Sequence, residues 1–279
     1  MAKVDLVFRQ IDERTRDVAL ALAQEHIRPE NTFILDDVRP FTECVNQMLQ
    51  IEHDCDYVVY VDADCLILED MRAFIDACDA PYVDAYVSDR FRGRLHCGVH
   101  ITRIDVVRAM AATKVPENDL KYVLRPESRL RNLAMKPMGS SKQFRNFDIL
   151  HDHFQSYHHV FMKYALRQLR SRTKIQAQRL TRAMRAWQSQ DGMMCDLTMA
   201  RHAVEFARKA VPASAAPKEV HDFIEALPQH ATAEIARMGL QEKGAFTREE
   251  LDDWLVENRG RVAYGQSAQK PKVFGLGLS

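Results

Sequence analysis

Tyr57-Val58-Val59-Tyr60-Val61-Asp62-Ala63-Asp64 is the stretch on which the reading of this chain turns. A strand with one wet face alternates apolar and polar residues, whereas an unbroken apolar run such as Tyr57 to Val61 suits a strand covered on both faces, in the middle of a parallel sheet. The run stops at Asp62-Ala63-Asp64. Open α/β sheets bind ligands outside the carboxyl ends of their strands. Residues two apart in an extended segment project to the same side, so the two carboxylates are expected to point together into that crevice. Like charges so close repel unless a cation joins them, and oxygen ligation suits Mg²⁺ or Mn²⁺. The competing reading makes Asp62 a turn cap and leaves Asp64 in water.

Working outward, strand and helix patterns alternate. Strands are expected at Val4 to Arg9, Thr32 to Leu35, Tyr82 to Ser88 and Leu95 to Thr102, and helices at Asp12 to His26, from Pro40, at Met71 to Cys78 and at Asp105 to Ala112. Lys136 to Asp148, with Pro137, Gly139, Ser140 and Ser141, reads as a loop. From His159 to Gln190 the period becomes helical and predicts one helix about 46 Å long, at ~1.5 Å per residue. Val211 to Pro217 is linker-like. Helices follow at Val220 to Leu227 and after Thr247, which has Glu250 three residues on in a capping-box pattern, while the last twenty residues show no clear element. The expected architecture is α/β, a Rossmann-like, mostly parallel sheet flanked by helices (1–158), followed by an α-helical C-terminal region (159–279).

Of the 279 residues 46% are apolar and 28% charged, as in a water-soluble globular protein. No apolar stretch is long enough to span a bilayer, and the start lacks a signal-peptide pattern, so the expected location is the cytoplasm. The six cysteines fall at no CxxC spacing and read as reduced core residues. Lys plus Arg equals Asp plus Glu at 39 each, which argues against nucleic acid as a partner. Positive charge is concentrated, however. His159 to Ala210 holds 11 basic and 3 acidic residues, a local +8. Lys163, Arg167, Arg170 and Lys174 form a basic ridge with three readings: a solvated face, a surface for an anionic partner such as a phospholipid headgroup at the inner face of a membrane or a phosphorylated glycan, or a nucleic-acid contact.

With Leu35-Asp36-Asp37 ending the second strand and Cys97-Gly98-Val99 in a later one, the residues around Asp62-Ala63-Asp64 resemble the nucleotide-sugar-dependent glycosyltransferases of the GT-A fold, over roughly residues 3 to 160. Leu150-His151-Asp152-His153-Phe154-Gln155-Ser156-Tyr157 is similar to an element of bacterial, family-2-like members that adds a histidine to the metal shell. The resemblance implies a metal-dependent glycosyltransferase of hexosyltransferase type, with a UDP- or GDP-linked donor and a glycan or lipid-linked acceptor, as in polysaccharide biosynthesis. It places Asp62 and Asp64 on the ion, joined by His151 or, second, His153, with Mn²⁺ favoured over Mg²⁺ by an imidazole ligand. Asp36 or Asp37 would contact the nucleoside, and Arg9, leaving the first strand, is placed to touch the nucleotide. An inverting reaction also needs a base for the acceptor hydroxyl, and the acidic residues after the DxD strand that qualify are Asp89, Asp119 and Glu127. Arg125 and Arg129 flank Glu127 and could meet phosphate.

Two other readings compete. His151-Asp152, with His96 or His100 upstream, is the pairing used by HD-type metal phosphohydrolases, whose folds are all-helical. Alternatively, the α/β half is degenerate and the basic helix belongs to a non-catalytic adaptor for an anionic partner. Independently of either, the histidines from His151 to His159 could mark only a polar helix start capped by Asp152.

Overall fold

The apolar run from Tyr57 to Val61 is buried on both faces, because alternate residues enter different cores. The computed structural model describes residues 1–116, 118–189 and 195–258, and within them all side chains but those of Arg94, His96 and Cys97. In chain order the elements are β1 (Val4–Gln10), α1 (Arg16–Ile27), β2 (Asn31–Asp36), α2 (Phe41–Met48), β3 (Tyr57–Asp62), β4 (Cys65–Ile67), α3 (Arg72–Asp76), β5 (Tyr82–Asp89), β6 (Gly93–Arg103), α4 (Ile104–Ala111), α5 (Leu120–Leu124), α6 (Pro126–Met135) and β7 (Gln143–His151). Helices α7 (Tyr157–Arg170), α8 (Lys174–Gln188), α9 (Cys195–Ala210), α10 (Pro217–Glu225), α11 (Leu227–Arg237) and α12 (Arg248–Glu257) follow.

The strands form one sheet in the order β2-β1-β3-β6-β5-β7-β4. Val59 and Val61 of β3 join Leu6 and Phe8 of β1 in a core under α1, to which Phe246 and Leu251 beside and within α12 return. Val58 and Tyr60 join Val7 in a second core with α2, α4 and α6. Burying such a side chain contributes about 1.5–3 kcal/mol, so covering both faces of β3 makes it the anchor of the sheet.

The α/β class is the one expected, but the strand directions are more mixed. β1–β2, β1–β3 and β5–β7 run parallel, whereas β3–β6, β5–β6 and β4–β7 run antiparallel. The direction reverses at a turn between β5 and β6. There the Asp89 carboxylate accepts from the backbone N–H groups of Phe91 (3.0 Å) and Arg92 (2.8 Å), and Gly93 supplies a positive φ.

Two expectations are corrected. The Lys136 to Asp148 loop ends before Gln143, where β7 begins; Phe147, Ile149 and Leu150 are buried, and only the first residues of the strand are exposed. The turn-forming residues Gly139, Ser140 and Ser141 mark the approach to the strand, not its body. The long helix is broken at Ser171 to Thr173, because Thr173 and Gln176, which interrupt its apolar stripe, form a capping box that opens α8. The expected end of that helix at Gln190 and the expectation for the last twenty residues lie outside the described residues.

Helices α7, α8, α9 and α11 build a third core around Phe161, Tyr164, Trp187 and Val204, and this core also takes in Phe91 from the β5–β6 turn. Trp187 Nε1 donates to the Phe91 carbonyl (2.8 Å). The helical region is thereby locked to the turn that carries Asp89. Among the described residues no helix is long and apolar enough to cross a membrane. Cys44, Cys55 and Cys65 are buried and Cys78 half-buried, as expected of core residues, but Cys195 is exposed; the described cysteines form no disulfide. The Cys97 side chain lies outside the described residues.

Candidate functional site

Register brings the site together. His151, the last residue of β7, pairs with Asp89 of β5 on one side and with Cys65 of β4 on the other. Asp64 immediately precedes β4. Ala63 is held by its N–H to the Arg9 carbonyl (2.9 Å) and by its own carbonyl, which accepts from Thr15 Oγ1 (2.8 Å). The Asp64 carbonyl accepts from the Asp152 N–H (3.2 Å). Gly98 makes this convergence possible: with φ +76° it lies where an added Cβ would stand 2.3 Å from Cys65 Sγ and 3.3 Å from His151 Cδ2. No larger residue fits beneath the turn.

Asp62 and Asp64 do not point together as expected. Residues 63 and 64 form a turn, so the alternation of an extended strand does not apply to them. Asp62, with 30% of its side chain exposed, accepts from Arg9 Nε (2.8 Å). Burial pushes its carboxyl up, against the pull of Arg9. The Asp64 carboxylate accepts from Lys163 Nζ and from Cys65 Sγ (3.3 Å), with His151 Nε2 at 3.6 Å. Burial alone would raise the Asp64 carboxyl, but Lys163 and His151 outweigh it and hold it below the usual carboxylate range.

His151 enters the cluster and His153 does not. Asp152 has φ +63°, which breaks the alternation after β7, so that the adjacent side chains of His151 and Asp152 share one cluster. Asp152 is almost fully buried; one carboxylate oxygen accepts from Lys163 Nζ, while the other, Oδ2, has no hydrogen-bond partner. His151 Nδ1 meets Asp89 Oδ2 at 2.8 Å, and Asp89 is held in turn by Arg92 Nη2 (2.8 Å). A carboxylate on one ring nitrogen that orients the other toward an ion is the usual support of a metal-binding histidine. His153 instead packs against Trp254, at 5.2 Å between ring centroids, with Nε2 buried and unbonded.

Burial, followed by the nearby Arg90, lowers the His153 pKa to about 4. A neutral His153 therefore contributes stability that is complete above the ordinary histidine value of about 6.5 and is lost as pH falls toward about 4. His153→Gln is expected to lose less thermal stability than the parent between about pH 7 and about pH 5, as measured by calorimetric melting at both pH values. Equal losses would show that His153 does not carry this dependence.

Arg9 is 4% exposed and bridges Asp62 to Glu127, whose Oε2 accepts from Arg9 Nη1 (2.7 Å). Burial would raise the Glu127 carboxyl, but Arg9 and His100 hold it at about 2. Glu127 is thus the counter-charge that fixes Arg9. Asp119 caps α5, accepting from the N–H groups of Lys121 and Tyr122, and is paired with Arg129 (2.7 Å). Asp89, Asp119 and Glu127, the expected bases, are each engaged by a cation. Asp36 and Asp37 are exposed at the same end of the sheet, two strands from Asp62; they accept from Gln10 Nε2 (3.0 Å) and Arg39 Nε (2.6 Å).

The sequence reading gives Asp152 a place only in the phosphohydrolase pairing or as a helix cap, and Lys163 only in the basic ridge; the structure brings both to Asp64. Lys163 belongs to this cluster and not to a solvated ridge. Arg167 and Arg170 follow it along one face of α7, four and seven residues on. Arg170 Nε donates to the Leu124 carbonyl (2.7 Å), next to Arg125. Burial and then the neighbouring Arg167, Arg125 and Arg92 push the Arg170 guanidinium down, against the pull of Asp62. Arg92, Arg125, Arg167 and Arg170 thus lie near one another, within reach of the Asp62 charge.

The donors fit a divalent ion in two overlapping groups that share His151: Asp64 and Cys65 on its Nε2 side, and Asp89 and Asp152 on its Nδ1 side, where Asp152 Oδ2 stands at 3.4 Å. A mixed set of this kind suits Mn²⁺ better than Mg²⁺. His100 is apart, bonded to Tyr82 (2.7 Å) and near Asp84 (3.2 Å). With the mixed sheet, this removes the all-helical phosphohydrolase reading as far as it used His100; the His96 side chain lies outside the described residues.

No protein-family model matches the chain, and no curated protein matches it in sequence. Among solved structures it is similar to a mannosyltransferase from Pyrobaculum calidifontis in complex with GDP-Man and Mn²⁺, at 12% identity over 92% of this chain and 79% of that one, TM-score 0.38. It is also similar to the catalytic domain of Drosophila β1,4-galactosyltransferase 7, at 14% identity over 52% and 65%, TM-score 0.37. A third is 4-diphosphocytidyl-2C-methyl-D-erythritol synthase from Anaerococcus prevotii, at 7% identity over 52% and 89%, TM-score 0.38. These overlaps are too loose to bear on function, which is read from the side chains.

Proposed function

We propose that the chain is a metal-dependent glycosyltransferase that moves a sugar from a UDP- or GDP-linked donor to the hydroxyl of a glycan or lipid-linked acceptor. The observation that carries this reading is the meeting, just past the end of β3, of two donor groups that share His151, Asp64 with Cys65 and Asp152 with Asp89, with Lys163 of α7 set between Asp64 and Asp152. In this reading Asp64, Asp152 and His151 hold the ion, and Asp89 orients His151. The ion supplies positive charge to the diphosphate as it leaves the sugar. Arg167 and Arg170, with Arg92 and Arg125, add to that field at no cost of reorganisation. Arg9 and Asp62 position the nucleotide, with Asp36 or Asp37 toward the nucleoside. Residues 1–158 together with α7 form the catalytic unit, and the exposed basic residues beyond it, Lys174 among them, face an anionic acceptor or membrane surface.

Calorimetry with UDP and GDP, in Mn²⁺ and in chelator, tests the reading. Binding of one nucleotide is expected to be at least about tenfold tighter with Mn²⁺, a difference of ~1.4 kcal/mol. Equal affinities for both nucleotides under both conditions would overturn it.

A further inference from the structure

Lys163 is the member of the cluster that ion binding does not by itself explain. Its Nζ donates to both Asp64 Oδ2 and Asp152 Oδ1, the two carboxylates assigned to the ion. Its backbone is fixed: Ser156 caps α7, and the adjacent Tyr164 is buried against Phe91 at 4.7 Å between ring centroids. The side chain has a flexible four-carbon stem, and 28% of its surface is exposed. Two buried carboxylates need compensating charge in every state of the protein.

We propose that Lys163 is a tethered counter-ion: its ammonium neutralises Asp64 and Asp152 while the cation site is empty and is displaced when a divalent ion enters. This inference rests on the assignment of the ion to Asp64, Asp152 and His151. Because ion and ammonium compete for the same oxygens, the ion alone binds weakly. A diphosphate arriving with the ion offers the displaced ammonium a new anionic partner, so ion and nucleotide assist each other's binding.

The test uses the full chain, with Mn²⁺ alone as probe. In Lys163→Gln, Mn²⁺ binding without nucleotide, followed by electron paramagnetic resonance, is expected to tighten at least about tenfold, a difference of ~1.4 kcal/mol. The melting temperature is expected to fall in chelator and recover in Mn²⁺. Lys163→Arg, which keeps the charge, should not gain Mn²⁺ affinity. In the unsubstituted protein, acetylation of Lys163 by acetic anhydride, read by peptide mass spectrometry, should be slow in chelator and speed up when Mn²⁺ is added. That measurement stands even where Lys163→Gln does not fold. Unchanged or weaker Mn²⁺ binding in Lys163→Gln, or a labelling rate indifferent to Mn²⁺, would overturn the proposal. Failure of UDP and GDP to bind would instead strike the glycosyltransferase reading, leaving the Mn²⁺ and labelling results to judge Lys163 alone.

Discussion

Asp64→Ala is expected to abolish metal-linked nucleotide binding, with a loss of at least about a hundredfold, or ~2.7 kcal/mol, while the chain stays folded. Asp64 gives the cluster a carboxylate that faces His151 and Cys65, and alanine offers no ligand in its place. The turn itself survives, since it is held by the backbone of residues 63 and 64 and by Thr15. Asp62→Ala is expected to behave differently, because Asp62 is paired with Arg9 and is outside the ligand groups of His151. It should weaken nucleotide binding while leaving the Mn²⁺ affinity within about threefold, ~0.7 kcal/mol. Calorimetric titration of both variants, with circular dichroism as the folding control, decides the matter. A pattern in which Asp62→Ala loses the ion and Asp64→Ala keeps it would move the ion site to the exposed carboxylate.

Arg9→Met is expected to cost about 3–5 kcal/mol of folding stability, the usual penalty for leaving one partner of a buried ion pair uncompensated. Glu127 would be left with Arg131 at 3.7 Å and His100 at 3.6 Å. Adding Glu127→Leu to Arg9→Met should recover only part of the loss, since it also takes the carboxylate away from the buried Arg131. The pH dependence has a definite sign. Glu127 has a folded pKa of about 2, below the ordinary glutamate value, so its contribution is complete above about 4.3 and is lost as pH falls toward about 2. Urea denaturation across that range should show this slope in the parent and a reduced one in Arg9→Met. A stability change under about 1 kcal/mol would show that Arg9 is not the counter-charge of Glu127.

Hydrophobic periodicity was legible because it is a local property. The run at Tyr57 to Val61, the alternating elements of the first hundred residues and the capping box at Thr247 and Glu250 all correspond to observed elements. The same reading failed wherever a single residue altered backbone direction. Thr173 and Gln176 looked like defects in a helical stripe and are the start of a new helix. Gln143 to His151 lacked a clear pattern at its exposed end, so β7 was hidden behind its turn residues.

By itself the sequence determined that the chain is α/β, that its central strand ends in two aspartates and that a histidine cluster follows, since these depend on residue type and spacing alone. Only the tertiary structure decided which of those groups meet. Asp64 and Lys163 lie 99 positions apart and His151 and Asp89 62 apart, and they touch because β7 joins the sheet between β5 and β4. Asp152 displaces His153 from the cluster because a positive φ at one residue turns the chain, and Asp62 parts from Asp64 because the strand gives way to a turn between them. Strand order and backbone angle have no one-dimensional signature, and here they assign the ligands.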